Sequence, residues 1–137
     1  DGKKKENLKK LIKNHNLEKN IKLPGFKKNI YPYLIKSDLL ISTSYFEGFP
    51  NVVIEALSCG VPVISSKSHG GIYEILKNQT YGDLFESGNE KDLENKIINF
   101  LNNPKKLLKK SLKGQNDLSR FSEKNSAKKY EKIFLNL

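Results

Sequence analysis

The chain predicts an α/β fold: a doubly wound parallel sheet with helices on both faces. Three observations point to it. Residues 38–43 (DLLIST) and 61–65 (VPVIS) are short, nearly continuous apolar runs, the mark of strands buried on both faces. They alternate with segments whose apolar residues recur at helical spacing. The links between them are short, and a βαβαβ order with short links closes as a parallel sheet.

Taken in order, residues 4–14 place Leu8, Leu11 and Ile12 on one helical face. Residues 20–23 read as a short strand ended by Pro24-Gly25-Phe26. Residues 30–36 suggest a short helix, with Pro32 tolerable only in its first turn. After the strand at 38–43, a loop at 44–50 leads into a helix from about Asn51, with Asn51 as its cap and Gly60 as its terminator. The strand at 61–65 follows, then a helix at 72–77 opened by Gly70-Gly71. Residues 81–85 form a strand and 92–101 an amphipathic helix. Pro104 starts a lysine-rich helix, and Ser122 a last one with Tyr130, Ile133 and Phe134 on its apolar side. Tyr31, Tyr33 and Tyr45 read as packing residues.

Composition narrows the function classes. The chain has 137 residues, enough for one domain with its own core. No apolar run approaches a membrane span, and no signal peptide is visible. There is no methionine, and we read the chain as a fragment of a longer protein, the alternative being a chain processed at its start. The net charge is +10, yet only Arg120 among the 25 basic residues is an arginine. Arginine suits planar, bidentate phosphate recognition, so the scattered lysines argue against nucleic acid as a partner. They leave room for peripheral contact with an anionic membrane. Cys59 is the single cysteine, which fits a reducing, cytoplasmic setting; it reads as a small packing residue.

The chemistry concentrates in residues 45–64, YFEGFPNVVIEALSCGVPVI. In a parallel sheet, ligands bind at the carboxyl ends of strands. The loop after DLLIST is such a place, and so is the loop after VPVIS. The first helical N–H groups, near Val52 and Val53, lack intrahelical acceptors and form an anion site with the helix dipole. Gly48 allows close approach to the backbone. Glu47 stands beside that site and Glu55 about one turn into the helix. A carboxylate accepts two hydroxyls well, so carboxylates on either side of a phosphate site suit a nucleotide-sugar.

The pattern Glu-Gly-Phe…Glu-Ala-Leu-x-Cys-Gly-x-Pro-Val-Ile, with seven residues between the glutamates, resembles the retaining glycosyltransferases of family 4. Collinear segments extend the resemblance over nearly the whole chain: Lys22-Leu23-Pro24-Gly25-Phe26, the run from Gly70 to Leu76, the run from Gly82 to Phe85, and Arg120 through Tyr130. The resemblance implies the Rossmann-like carboxy-terminal domain of a GT-B enzyme, here partial, with its first strands and the acceptor-binding amino-terminal domain absent. Asp1-Gly2 looks like the end of that family's Gly-Asp-Gly turn.

By the same resemblance, Glu47 binds hydroxyls of the donor sugar and is the catalytic candidate. Glu55 binds the ribose hydroxyls. The backbone of Phe49, Pro50, Asn51, Val52 and Val53 meets sugar and diphosphate. Gly25, Phe26 and Lys27 lie near the base. Glu74 has two readings, a ligand contact or a brace of the Gly70-Gly71 loop. His69 reads first as a polar loop residue and second as a cleft residue. A surface carboxylate paired with lysine is the competing reading of Glu55.

The expected function is sugar transfer from a UDP-sugar to a glycan or lipid-linked acceptor, with retention, in bacterial surface polysaccharide or glycoconjugate synthesis. The acceptor would bind through the missing domain, at the inner face of the membrane. No Asp-x-Asp motif is present, and neither a metal nor another cofactor is expected. The basic pair that steadies the diphosphate in the family would precede Asp1. A non-catalytic nucleotide- or polyanion-binding module is the alternative.

Overall fold

A computed structural model describes residues 2–135. Asp1, part of the Gly-Asp-Gly resemblance, lies outside the described residues. The chain divides into two compact units, residues 1–30 and 31–137.

The first unit holds one helix, α1 (Lys5–Asn14). It carries Leu8 and Leu11 as the spacing predicts, but both are exposed and the helix buries no residue. The expected strand at 20–23 does not form. A short alternating pattern favours strand geometry, but a strand exists only against a partner edge, and none pairs with it among the described residues. Gly25 has φ +71°, and the turn it makes lines a hollow of about 460 Å³ with Phe26, Leu8 and Lys5. The base-binding loop expected at Gly25, Phe26 and Lys27 is therefore a turn on this unit.

The second unit is the α/β body. Its elements are α2 (Tyr31–Leu34), β1 (Leu40–Ser42), α3 (Asn51–Ser58), β2 (Val63–Ser66), α4 (Ile72–Ile75), β3 (Asp83–Phe85), α5 (Glu90–Asn102), α6 (Pro104–Asn116), a 3-10 turn (Leu118–Phe121) and α7 (Glu123–Leu135). The three strands lie in the order β1-β2-β3 and both pairings are parallel, with Ile41 opposite Ile64 and Ser65 opposite Leu84.

β2 is central and every residue in it is buried. β1 is an edge among the described residues, and Ile41 is 38% exposed. The expectation of two buried faces therefore holds for β2 and fails for β1, where one side of the strand has no described neighbour. Val53, Ala56 and Leu57 of α3, Ile72 and Ile75 of α4, and Leu84 and Phe85 of β3 complete the core around β2.

Local chemistry explains the helix ends. Asn89 caps α5 by accepting the Asp92 N–H at 2.9 Å. Pro104 starts α6, where its missing N–H costs nothing. Lysine-rich α6 is held by a few contacts: buried Leu107, the Ser111 hydroxyl donating to the Val61 carbonyl at 2.6 Å, and a Lys110–Asp83 ion pair. Tyr31, Tyr33 and Tyr45 are exposed, against the packing role read for them. Tyr130, Ile133 and Phe134 of α7 are also exposed. Among the described residues no helix is long and apolar enough to cross a membrane.

Candidate donor-binding site

β1 and β2 end side by side, and the loop after each is tied to the other. Phe46 and His69 form a parallel bridge beyond the sheet. The Glu47 N–H donates to the His69 carbonyl at 3.2 Å, and the Gly71 N–H to the Gly48 carbonyl at 2.9 Å. The Phe46 and His69 rings stack, with centroids 5.7 Å apart. The Ser66 hydroxyl donates to the Ser44 carbonyl, anchoring the first loop to β2. Such close backbone contact requires glycine. A Cβ on Gly70 would collide with the Glu47 carbonyl, and Gly70 has φ +113°, a region side chains disfavour.

The paired loops line a shallow, open hollow of about 460 Å³ bordered by Phe46, Glu47, Gly48, His69 and Gly70. Glu47 is half-buried and accepts the Ser44 hydroxyl at 2.7 Å. Ser44 was missed in the sequence; the signal available was a Ser-x-x-Glu spacing across a tight loop. Open space lies where a Gly48 side chain would begin, as close ligand approach needs.

The helix start differs in detail from the expectation. Pro50, not Asn51, occupies the cap position, and no side chain caps α3. Asn51 is already helical because the loop delivers Pro50 with its ring-fixed φ of −73°. Val53 is fully buried and its N–H donates to the Pro50 carbonyl at 3.0 Å, so its amide is not free for an anion. The amides of Asn51 and Val52 meet no acceptor among the described residues. No acidic residue stands in the first turn to neutralise the positive helix end.

Glu55 lies one turn in, half-buried, and its carboxylate makes no hydrogen bond or ion pair among the described residues. The competing picture of a lysine-paired surface glutamate is not what the structure contains. Phe49 turns its ring away from the hollow, edge-on to Phe121 with centroids 5.4 Å apart. Glu74 is exposed, and what engages it is its backbone carbonyl, bound by Arg120 at 2.8 Å. Beside the second loop, the Glu86 carboxylate hydrogen-bonds the Lys67 ammonium and holds its pKa above the usual lysine value. Cys59 caps the carboxyl end of α3, and Gly60 follows with φ +71°, the left-handed stop predicted for it.

Known proteins are similar to this chain in sequence and fold. The family model described as "Glycosyl transferases group 1" matches residues 1–117. The chain is 33% identical over 133 residues to a Campylobacter jejuni N-acetylgalactosamine-N,N'-diacetylbacillosaminyl-diphospho-undecaprenol 4-alpha-N-acetylgalactosaminyltransferase, covering 97% of this chain and 34% of that protein. It is similar in structure to Anabaena HepE solved in complex with UDP, with a TM-score of 0.85 and 28% identity over 96% of this chain and 36% of that one. A mutant of Staphylococcus aureus TarM, in complex with fondaparinux, alpha-GlcNAc-glycerol and UDP, superposes with a TM-score of 0.86 at 27% identity, covering 97% of this chain and 27% of that one. The chain thus spans about a third of the length of the curated relative and of the HepE chain. With its parallel Rossmann-like sheet and paired loops, it belongs to the group 1 glycosyl transferases and corresponds to part of the carboxy-terminal domain of their GT-B architecture.

Proposed function

We propose that this chain forms the donor-binding part of an enzyme that transfers a sugar from a UDP-sugar to a glycan or lipid-linked acceptor with retention. One observation carries the reading. Two half-buried glutamates flank a helix start whose first two amides have no described acceptor. A diphosphate on the Asn51 and Val52 amides places the donor sugar toward Glu47 and the ribose toward Glu55. The relative that acts on a diphospho-undecaprenol and the neighbours solved with UDP support this choice of substrates.

In this reading residues 1–137 are the carboxy-terminal nucleotide-sugar-binding part of the enzyme. The acceptor and the basic pair at the diphosphate belong to the rest of the protein. Glu47, oriented by Ser44, grips sugar hydroxyls, and that grip tightens as positive charge builds at the anomeric carbon. The preorganised amides stabilise the departing diphosphate. We assign no protein general base and no metal. The enzyme works in the cytoplasm at the inner face of the membrane, in surface polysaccharide or glycoconjugate synthesis.

In the full-length enzyme, Glu55→Gln weakens UDP binding by about 1–3 kcal/mol, the value of a hydrogen bond to a charged group. Glu47→Gln leaves UDP affinity nearly intact and lowers turnover. Calorimetry with UDP and transfer assays over a panel of UDP-sugars, with and without EDTA, measure both. Equal effects of the two changes on UDP affinity refute the division of labour, and loss of turnover in EDTA refutes metal independence.

A second hollow favours the polyanion reading. It measures about 500 Å³ and includes Lys96, Lys106 and Lys110 in its wall together with Asp83, which already pairs with Lys110. A polyanion binder prefers a random oligonucleotide to UDP and shows a steep salt dependence. A donor domain prefers UDP and loses it on Glu55→Ala.

A further inference from the structure

The chain uses lysine at 24 of its 25 basic positions, and the exception sits behind the candidate site. The Arg120 guanidinium donates to the carbonyls of Glu74 and Ile75, at 2.8 and 2.7 Å. These are the last two residues of α4; the Glu74 carbonyl also accepts the Lys77 N–H at 3.2 Å, whereas no backbone N–H reaches the Ile75 carbonyl among the described residues. The same side chain pairs with Asp117 at 3.2 Å and lies over the Phe121 ring at 4.2 Å and the Tyr81 ring at 5.5 Å. Tyr81, itself buried, donates its hydroxyl to Asp117 at 2.7 Å. A lysine ammonium is a point charge. It lacks the planar fork that here meets two carbonyls while the group lies against an aromatic face, with Asp117 near enough for an ion pair but not a hydrogen bond to Nε.

This fork reaches the site by two routes. α4 is only one turn, about 6 Å long, and its amino end is Gly71, whose N–H holds the Gly48 carbonyl. Fixing the carboxyl end of α4 therefore fixes the corner on which the Glu47 loop hangs. The second route is direct. Phe121, covered by Arg120, meets the Phe49 ring edge-on, and Phe49 fills the space that a Gly71 side chain would take.

We propose that Arg120 and Phe121 are positioning residues for the Glu47–Gly48 loop: they clamp it from behind and hold the Glu47 carboxylate in register with the α3 amides. Its consequence for turnover rests on the donor-binding reading above; the clamp itself does not.

The test uses the full-length protein with Arg120→Lys, Phe121→Leu and the conservative Phe121→Tyr. NMR-detected hydrogen exchange follows the Glu47 and Gly71 amides, with Ile64 and Ser65 of β2 as reference. Arg120→Lys should speed exchange at Glu47 and Gly71 by roughly tenfold or more, the change for losing about one charge-assisted hydrogen bond, and Phe121→Leu should speed it at the same two amides. The β2 amides should not change, and Phe121→Tyr should restore wild-type exchange. Turnover with the best UDP-sugar should fall while UDP affinity stays within about twofold. Unchanged exchange at Glu47 and Gly71 overturns the clamp. A uniform acceleration that includes β2 also overturns it, because the pair then stabilises the whole body rather than the loop. If the wild-type protein binds no UDP, the donor-binding reading falls, and the exchange data still decide the clamp.

Discussion

The loops after β1 and β2 leave the same end of the sheet in contact, but they are made of opposite materials. The first carries large and charged residues, Tyr45, Phe46, Glu47 and Phe49, on an edge strand that is only half-buried. The second carries Ser68, His69, Gly70 and Gly71 on a strand with no exposed residue. The candidate recognition groups sit on the weaker strand, and the stronger strand contributes mostly backbone. An exposed carboxylate loop would wander if it depended on β1 alone. It is held because β2 is fixed by core burial and its glycine corner lets two backbones meet at hydrogen-bond distance.

The largest expected effect that breaks this division is Gly70→Ala. The new methyl group meets the Glu47 and Gly48 carbonyls, which are backbone and cannot swing aside, and φ is unfavourable for alanine. The loops should separate, and a displacement of about 1 Å lowers transfer by roughly a hundredfold. Steady-state kinetics and thermal unfolding measure it. Near-normal turnover would show that the bridge between the loops is not what orients Glu47.

Gly71→Ala sharpens the comparison with a smaller effect. Its methyl group meets the Phe49 ring, a side chain that can rotate. Overpacking of this kind costs about 1–3 kcal/mol, visible as a lower unfolding midpoint with part of the activity retained. A Gly71→Ala protein worse than Gly70→Ala would reverse the assignment of backbone contact to Gly70 and ring contact to Gly71.

The smallest effect lies where β2 and β3 end, at the Lys67–Glu86 pair. Glu86 raises the folded-state pKa of Lys67, so the pair's contribution is complete below the ordinary lysine pKa and disappears as pH rises through the raised value. Denaturant unfolding of Glu86→Gln beside wild type should therefore give a small stability gap that is constant near neutral pH and closes only in strongly alkaline solution. A gap that closes near pH 7 would assign the effect to another group.

Much of this molecule is legible along the chain. The runs at 38–43 and 61–65, the helix between them and the Gly60 stop are local signals. Apolar patterning, a glycine needed at positive φ and short connections all act within a few residues. The placement of Glu47 on the loop and Glu55 on the helix follows from those elements, and so does the parallel sheet, because short βαβ links leave little other choice.

Tertiary structure decided what one-dimensional patterns do not contain. A strand pattern at 20–23 could not say whether the segment would meet a sheet edge, and no pairing of it is described. The apolar run of β1 could not say that one side of the strand has no described neighbour. The isolated Phe46–His69 bridge joins residues 23 positions apart through backbone groups that any sequence possesses. Arg120 stands out along the chain as the single arginine, but what it holds is legible only once α4 and the 3-10 turn are brought together. Local propensity is a property of neighbours in sequence, whereas the orientation of Glu47 depends on contacts made only after the two loops and the segment behind them have packed.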